Sequence, residues 1–372
     1  MSNKFFNDIK KNFGFGFMRL PMNGEEVNIE ETTKMVDTFL NSGFNYFDTA
    51  HGYLGGKSEL ALRECLTKRY PREQYILTNK LSNGYFQKEE DIRPLFESQL
   101  EACGVDYFDF YLMHAQNAES FEKYKKCRAY ETAFALKAEG KVKHVGLSFH
   151  DTAKVLDQIL TEYPELEVVQ IQFNYVDYED AGIQSKDCYD VCVKHGKPVI
   201  VMEPVKGGSL INLPEEAQKV FDELEGGSNA SYAIRFAAGF DQMMMVLSGM
   251  SNMEQMSDNV SFMKEFEPLN DKELEAVRKA CTIFRGQDII PCTACRYCVE
   301  GCPMKISIPE LFADLNAHKA NRGWNRNFYY KVHTQNGGKA SDCIKCGKCE
   351  NVCPQHLKIR ELLEEVAAEF DK

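Results

Sequence analysis

The chain has 372 residues, with 44 Lys and Arg against 56 Asp and Glu, which gives a formal net charge of -12 at pH 7. We do not expect so acidic a chain to bind nucleic acid or an anionic membrane surface as its main partner. Its sequence shows neither an apolar run long enough to span a membrane nor the apolar core of a signal peptide, so we expect a soluble, cytoplasmic protein.

Eight short runs rich in apolar, β-branched and aromatic residues recur through the first two thirds of the chain and predict eight β-strands. Helical spacing of apolar residues fills the intervals, as at Met35, Val36, Phe39 and Leu40. Eight alternations of strand and helix predict an α/β protein with a (β/α)8 barrel. The predicted strands cover residues 13–17, 44–48, 75–80, 107–113, 142–147, 168–173, 198–202 and 243–248.

A doubly wound open sheet is the main alternative fold, and it normally carries a glycine-rich phosphate turn after its first strand. Here FGFGF at 13–17 continues into MRLP at 18–21, so no helix follows and that fingerprint fails. In a barrel, residues at the carboxyl ends of the strands line the active-site mouth. The polar residues at such positions are Asp48, Lys80, His114, Ser148 and Glu203.

Three successive predicted strands end in FDTAHGY at 47–53, TNK at 78–80 and LMH at 112–114. With GGKSE at 55–59 and LSGM at 247–250, these segments resemble the aldo-keto reductases. The resemblance spans about residues 10–265. It implies an enzyme that reduces an aldehyde or ketone, or oxidises the alcohol, with a nicotinamide cofactor. It also implies a catalytic tetrad on Asp48, Tyr53, Lys80 and His114.

These four residue types suit carbonyl reduction, because a carbonyl that receives hydride develops negative charge on its oxygen and needs a proton donor. Tyr53 can supply that proton. We expect the Lys80 ammonium, itself paired with Asp48, to favour the Tyr53 phenolate and so ease proton release. His114 would orient the carbonyl oxygen. Each residue alone has a structural explanation, but together they indicate an active site.

The resemblance also implies positions for the nicotinamide cofactor. Ser148 and Gln170 would hold the nicotinamide carboxamide, although Phe149 replaces the usual asparagine after that serine. Met202 stands where an aromatic ring usually stacks on the nicotinamide. Gly207 and Gly208 allow close backbone approach to a pyrophosphate, and a plain turn explains them equally well.

Residues 248–259 resemble the family's nucleotide segment, in which backbone donors meet phosphate and Asn259 meets the adenine. The Lys and Arg that many members use to clamp a 2′-phosphate are replaced by Gly249 and Gln255, so both NADP and NAD remain open. The implied contacts are Ser248, Gly249, Met250, Asn252, Gln255 and Asn259.

The sequence PLNDKE at 268–273 predicts a helix start, with Asn270 as the cap and Glu273 three residues later. We expect this helix to run to about Phe284 and place the domain boundary near Gly286. Residues 1–285 would then form the barrel and 286–372 a small second domain. Pro309 suits the first turn of a further helix, which predicts a mostly helical second domain.

Two cysteine runs of the form C-x2-C-x2-C-x3-C-P occupy the predicted second domain. Zinc ribbons use two cysteines per knuckle, and disulfides do not suit a long chain without a secretory segment. The spacing resembles two-cluster ferredoxins, which implies two [4Fe-4S] clusters, with the last cysteine of each run ligating the opposite cluster. The implied ligand sets are Cys292, Cys295, Cys298 and Cys353, and Cys343, Cys346, Cys349 and Cys302.

Basic residues are concentrated between 317 and 345, in a region that also holds the chain's single tryptophan, Trp324. On so acidic a chain they suggest a docking surface for an acidic redox partner such as a ferredoxin. The alternative is a lid over the clusters whose charges lie in solvent. The basic residues are Lys319, Arg322, Arg326, Lys331, Lys339 and Lys345.

Hydride transfer moves two electrons, whereas a cubane cluster moves one, so the two halves need a coupling step. Flavin usually splits an electron pair, and barrels can hold a flavin phosphate, but no motif here requires one. Our leading hypothesis is an iron–sulfur aldo-keto reductase. The alternatives are an electron-transfer adaptor with a scaffold barrel, favoured by the missing aromatic and phosphate clamp, and a flavin-containing iron–sulfur reductase.

Overall fold

The computed structural model describes residues 3–180, 183–224, 226–286, 289–319 and 326–371. The chain divides into two compact units. The first contains Met1–Val205 and Glu223–Arg278, and the second contains Lys206–Asp222 and Lys279–Lys372. A segment that follows a barrel strand in the chain therefore groups with the cysteine-rich unit. The domain limit at 285 and 286 stays a prediction.

Eight parallel strands close into a barrel in the order β1-β10-β9-β8-β7-β6-β5-β4. Two further short strands, β2 and β3, form an antiparallel hairpin after β1. The eight predicted strands and the predicted barrel are confirmed. The strands are β1 Phe13–Gly16, β2 Met22–Asn23, β3 Glu26–Val27, β4 Tyr46–Asp48, β5 Ile76–Leu81, β6 Phe108–Gln116, β7 Val142–Phe149, β8 Val168–Gln172, β9 Val199–Met202 and β10 Met243–Ser248.

Helices follow the barrel strands, and their sequences explain their limits. In α1 the Asn28 side chain accepts the Glu31 amide as an N-cap, and Met35, Val36 and Phe39 are buried. The helices up to the end of the barrel sequence are α1 Ile29–Asn41, α2 Lys57–Leu62, α3 Glu89–Cys103, α4 Ala118–Lys126, α5 Ala129–Ala138, α6 Ala153–Glu162, α7 Ser185–Lys194, α8 Glu215–Asp222, α9 Asn229–Ala238, α10 Met253–Met263 and α11 Asp271–Arg285.

The amino-terminal end of the barrel is filled by apolar and aromatic side chains. Tyr46, Phe110 and Met244 are buried there, and the ring of Phe6 meets Phe110 edge-on at 5.2 Å. In α/β barrels the active site lies at the carboxyl ends of the strands. The packed end of this barrel thus leaves the opposite end, which carries Asp48, Lys80 and His114, as the mouth.

The start of α11 is confirmed, since the Asn270 amide donates to Glu273 and the Glu273 amide donates back to Asn270 Oδ1. The helix with Pro309 in its first turn is also confirmed. The cysteine-rich unit is mostly helical, as predicted. Its remaining helices are α12 Tyr297–Glu300, α13 Ile308–Lys319, α14 Arg326–Thr334, α15 Lys348–Asn351 and α16 Ile359–Phe370.

This unit contains an internal repeat with a constant offset of 51 positions. The helix α12 recurs as α15, and α13 recurs as α16. Left-handed backbone recurs as well, at Ala294 and Lys345 and at Lys305 and His356. Each cysteine run therefore adopts the same sequence of turns, and the two copies pack around one apolar core that includes Leu311, Phe312, Leu363 and Val366.

Within the part of the chain that the structure describes, no helix is both long and apolar enough to cross a membrane.

Candidate active site and cluster sites

A buried ion pair lies at the carboxyl ends of β4 and β5. Lys80 Nζ donates to Asp48 Oδ1 at 2.6 Å and to the Thr49 carbonyl at 2.8 Å. Only 1% of Lys80 is exposed. Burial lowers the pKa of Lys80 and raises the pKa of Asp48, while their mutual attraction opposes both shifts. The pair thus fixes an ammonium group at the barrel mouth.

Tyr53 lies beside this ammonium group. It begins the short turn Tyr53–Gly56 that follows β4, and its ring centroid is 5.0 Å from Lys80 Nζ. Left-handed backbone at Leu54, Gly55 and Gly56 reverses the chain immediately after the tyrosine. This reversal keeps Tyr53 close to the strand end instead of carrying it away with α2.

His114, on β6, completes the group predicted from the strand ends. Its ring centroid is 5.8 Å from that of Tyr53, and its Nδ1 is 2.7 Å from Ser82 Oγ. Burial, reinforced by the Lys80 charge, lowers the pKa of His114 well below its usual range, so the imidazole is neutral near pH 7. When Ser82 donates to Nδ1, Nε2 carries the proton and can donate to a carbonyl oxygen.

The lowered pKa of His114 predicts a pH-dependent stability. Between the folded pKa and the ordinary value of 6.5, the unfolded state binds more protons, so stability falls as the pH falls through this window. In His114→Gln the loss of unfolding free energy on acidification should be smaller than in the wild-type protein, by up to about 1.4 kcal/mol per pH unit. Denaturant unfolding of both proteins at about pH 7.5 and about pH 5.5 measures it. Equal losses of unfolding free energy in the wild-type protein and in His114→Gln would contradict the lowered pKa of His114.

The sequence interpretation missed Ser82 and Glu59. The Glu59 carboxylate is buried, accepts Asn79 Nδ2 at 2.8 Å and lies 2.9 Å from His51 Nδ1. It therefore ties the Tyr53 loop to β5. Both residues left a signal in the sequence: Ser82 immediately follows a strand end, and Glu59 closes the GGKSE segment.

Ser148 and Gln170 lie side by side on β7 and β8, where they are register partners. Ser148 Oγ accepts the amide of Ala115 at 2.7 Å, which supports the left-handed backbone of Ala115 in irregular β6. Its hydroxyl proton remains available to donate elsewhere. Gln170 Oε1 is buried and has no hydrogen-bond partner among the described residues. An unsatisfied acceptor beside a hydroxyl donor fits the amide of a nicotinamide.

The predicted nucleotide segment forms the turn between β10 and α10. Asn252 caps α10 by accepting the Gln255 amide at 2.9 Å, and Gln255 Oε1 accepts the Ser251 amide at 2.8 Å. Asn259 Nδ2 donates to Ser248 Oγ at 3.0 Å. These side chains thus order their own turn and the start of α10, and the predicted nucleotide contacts, including Met250, stay predictions.

Gly249 and the two glycines after β9 have different surroundings. A Cβ on Gly249 would lie 3.2 Å from Arg19 Cβ, whereas one on Gly208 would meet nothing within 4 Å. A Cβ on Gly207 would lie 2.7 Å from Thr293 Cα, within the cysteine-rich unit. Close packing against Thr293 explains why position 207 holds a glycine, without any role in phosphate binding. The predicted pyrophosphate contact of Gly207 stays a prediction.

The eight cysteines of the two runs line two cavities. Cavity 1 is lined by Cys292, Cys295, Cys298 and Cys353. Cavity 2 is lined by Cys302, Cys343, Cys346 and Cys349.

Each cavity takes three cysteines from one run and the fourth from the other, as the ferredoxin resemblance implies. Zinc knuckles take their ligands as Cys-x2-Cys pairs. Three cysteines from one run with a fourth from the other is instead the ligand pattern of the cubane clusters in two-cluster ferredoxins.

The basic stretch is only partly described. Arg322 and Trp324 lie outside the described residues, as do the side chains at 326–329. Lys319 pairs with Glu365, and Lys345 pairs with Glu364, both on α16. Part of the predicted positive charge is therefore neutralised within the unit itself. Lys331 and Lys339 are exposed.

Several known proteins are similar to this chain. NADH-specific methylglyoxal reductase of Escherichia coli is 28% identical over 195 residues, or 47% of this chain and 57% of that protein. L-galactose dehydrogenase of Arabidopsis thaliana is 26% identical over 280 residues, or 69% of this chain and 85% of that protein. The chain thus spans little more than half of the first relative.

Solved structures share the barrel. An aldo-keto reductase from Bacillus halodurans superposes with a TM-score of 0.60 at 22% identity, covering 75% of this chain and 95% of that one. An aldo-keto reductase from Klebsiella pneumoniae in complex with NADPH superposes with a TM-score of 0.59 at 16% identity, covering 75% and 97%. At these identities the likeness shows the fold.

Two family models account for most of the chain. Residues 291–357 match the 4Fe-4S dicluster domain, and residues 12–281 match the aldo/keto reductase family. The chain therefore belongs to the aldo/keto reductase family and carries a C-terminal 4Fe-4S dicluster domain.

Proposed function

We propose that the protein reduces an aldehyde or a ketone, or oxidises the corresponding alcohol, with NADP or NAD. We further propose that its electrons are linked to two [4Fe-4S] clusters. The observation that supports this proposal most directly is the buried Lys80–Asp48 pair. The Tyr53 ring lies 5.0 Å from Lys80 Nζ, and the His114 ring lies next to the Tyr53 ring. A charged group, a phenol and a neutral imidazole meet at one barrel mouth.

Each of the four side chains has a separate task in this proposal. Tyr53 donates a proton to the developing alkoxide, and Lys80 lowers the cost of the resulting phenolate. Asp48 holds the Lys80 ammonium in place. The neutral His114 donates a hydrogen bond from Nε2 to the carbonyl oxygen and so fixes its orientation.

The nicotinamide cofactor would supply the hydride. Ser148 and Gln170 would hold its carboxamide, and the unsatisfied Gln170 Oε1 supports this assignment. The turn before α10 offers backbone donors to its phosphates, at the positive end of the helix dipole. NADP is the first candidate because solved neighbours contain NADPH and NADP, and NAD is the second because the Escherichia coli relative is named NADH-specific.

We assign the eight cysteines of cavities 1 and 2 as ligands of two [4Fe-4S] clusters, which would exchange single electrons. Cys346 is exposed, and the neighbouring Ile344 is 59% exposed. We propose this side of cavity 2 as the place where a ferredoxin or another redox protein exchanges electrons. A reducing compartment such as the cytoplasm suits such clusters.

Carbonyl reductase activity is the test of this proposal. Anaerobically purified protein is assayed for NADPH and NADH oxidation with methylglyoxal, an aldose and a set of simple aldehydes and ketones. These compounds follow the names of the relatives. We expect turnover that depends on the carbonyl and on the nicotinamide.

Lys80→Met should reduce that turnover at least about 100-fold, because it removes the cation that favours the phenolate. Lys34→Met is the matched control, since Lys34 is an exposed lysine paired with Glu30 on α1, and it should retain activity. If cluster-loaded protein reduces none of these carbonyls with either nicotinamide, the barrel acts as a scaffold and the proposal is wrong.

A further inference from the structure

The hydroxyl of Ser82 meets the ring of His114 at the end of the neighbouring strand. Ser82 directly follows β5, and its Oγ lies 2.7 Å from His114 Nδ1. The serine is buried, with 7% of its surface exposed. Within the described part of the chain, neither the Ser82 hydroxyl nor the His114 ring makes another hydrogen bond. The two groups are therefore each other's partners.

The backbone around this contact is held by other residues. The buried Tyr124 hydroxyl donates to the Leu81 carbonyl and also lies 3.4 Å from the His114 carbonyl. Gln116 Nε2 donates to the same His114 carbonyl at 3.2 Å. One phenol thus joins the ends of β5 and β6. It sets the spacing between His114 and Ser82, which follows Leu81.

These backbone contacts do not decide how the imidazole of His114 is turned. The ring can rotate about the bond to its Cβ between two orientations, which exchange the Nδ1 edge with a carbon edge. The bond to Ser82 distinguishes them, because a carbon would face the hydroxyl in the wrong orientation. Ser82 has extended backbone, with φ -96° and ψ 132°, directly after the strand. Its hydroxyl therefore has a defined position from which to select one orientation.

The charges around His114 keep its ring neutral. Burial lowers the pKa of His114 well below its usual range, and the Lys80 charge and His150 add to this lowering. A neutral imidazole carries one N–H, and the hydrogen bond at one nitrogen determines which nitrogen holds it. With the proton on Nδ1, Nε2 would present a lone pair and repel a carbonyl oxygen. With the proton on Nε2, the same nitrogen donates to that oxygen.

We propose that Ser82 is a positioning residue of the active site, which donates its hydroxyl proton to Nδ1 and so holds His114 in the orientation and tautomer that carbonyl reduction needs. This assignment rests on the proposed function. Ser82 acts through His114 and stabilises the charge on the carbonyl oxygen only indirectly. The serine therefore serves as part of the preorganised hydrogen-bonding environment, in which a donor is aligned before the reaction begins.

Nitrogen NMR of the full, cluster-loaded protein in its oxidised state tests the direction of this bond. Histidine labelled with ¹⁵N in the ring distinguishes a nitrogen that carries a proton from one that accepts a hydrogen bond, and His114→Gln identifies the signals. Near neutral pH we expect the proton on Nε2 in the wild-type protein and a mixture of tautomers in Ser82→Ala. A wild-type His114 with its proton on Nδ1 would overturn the proposal.

Kinetics test whether the positioning matters. Ser82→Ala should lower kcat/KM for the carbonyl about tenfold, less than the loss of an entire oxyanion donor costs. Nicotinamide affinity should change less than about twofold, because Ser82 acts on His114. Ser82→Thr keeps the hydroxyl on extended backbone, which β-branched residues favour, and should retain at least about half of the wild-type kcat/KM.

Ser98→Ala is the control for the loss of a serine hydroxyl. Ser98 Oγ donates to the Leu95 carbonyl at 2.7 Å on α3, and its removal should leave kcat/KM unchanged. Equal losses in Ser82→Ala and Ser82→Thr, or a Ser82→Ala enzyme as active as the wild type, would contradict the positioning role. If the wild-type protein reduces no carbonyl, the proposed function fails, whereas the NMR measurement still decides the direction of the Ser82–His114 bond.

Discussion

Tyr53→Phe should lower kcat for carbonyl reduction by about 10²- to 10⁴-fold, the range that general acid catalysis contributes. Phenylalanine keeps the ring that lies 5.0 Å from Lys80 Nζ and next to His114, and it removes only the hydroxyl. The loss should therefore appear in kcat, with little change in nicotinamide affinity. Anaerobic steady-state kinetics and equilibrium binding of NADPH measure the two quantities.

Tyr70→Phe is the matched control for the loss of a tyrosine hydroxyl. The Tyr70 hydroxyl donates to Asp37 at 2.6 Å, outside the group of tetrad residues. This variant should keep kcat within about twofold, because Tyr70 touches none of them. A Tyr53→Phe enzyme that kept more than half of the wild-type turnover would remove Tyr53 as the proton donor.

Paired cysteine replacements should show which cysteines share a cluster. Cys298→Ser should lose half of the iron and acid-labile sulfide, because one of the two proposed clusters loses a buried ligand. Cys298→Ser combined with Cys353→Ser should lose no more, since both residues line cavity 1. Cys298→Ser combined with Cys302→Ser should lose nearly all of the iron, because these residues line different cavities.

Cys127→Ser is the control for cysteine loss in general. Cys127 is buried in the barrel unit and donates to the Gln87 carbonyl at 3.3 Å, a bond that a serine hydroxyl can replace. Its iron content should equal that of the wild-type protein. Ligation within each run would reverse the two double-variant results, because Cys298 and Cys302 would then share a cluster.

Much of the fold follows from local patterns in the sequence. Each barrel strand is a short, nearly continuous apolar run, the signal of a strand buried on both faces. The hairpin of β2 and β3 was missed because strands of two residues show no periodicity. Grouping of Lys206–Asp222 with the cysteine-rich unit was also missed, since it depends on contacts with residues far along the chain.

The candidate site shows the same division between local and long-range information. Asp48, Lys80 and His114 were found because strand ends in a barrel converge. Ser82 and Glu59 act through side-chain contacts with residues from other elements, which spacing alone does not reveal. The glycine at 207 suggested a phosphate turn, and only the fold shows that Thr293 fills the space beside it. The repeat with its offset of 51 is visible in the spacing of the two cysteine runs.

The most direct test of an aldo-keto reductase linked to two clusters is anaerobic purification followed by iron, sulfide and absorption analysis, with and without NADPH or NADH. We predict about eight irons per chain, which is two cubanes. We also predict partial bleaching of the cluster absorption when nicotinamide is added, and no flavin band. A flavin spectrum, or cluster absorption that neither nicotinamide changes while carbonyl reduction proceeds, would contradict the proposed link between the barrel and its clusters.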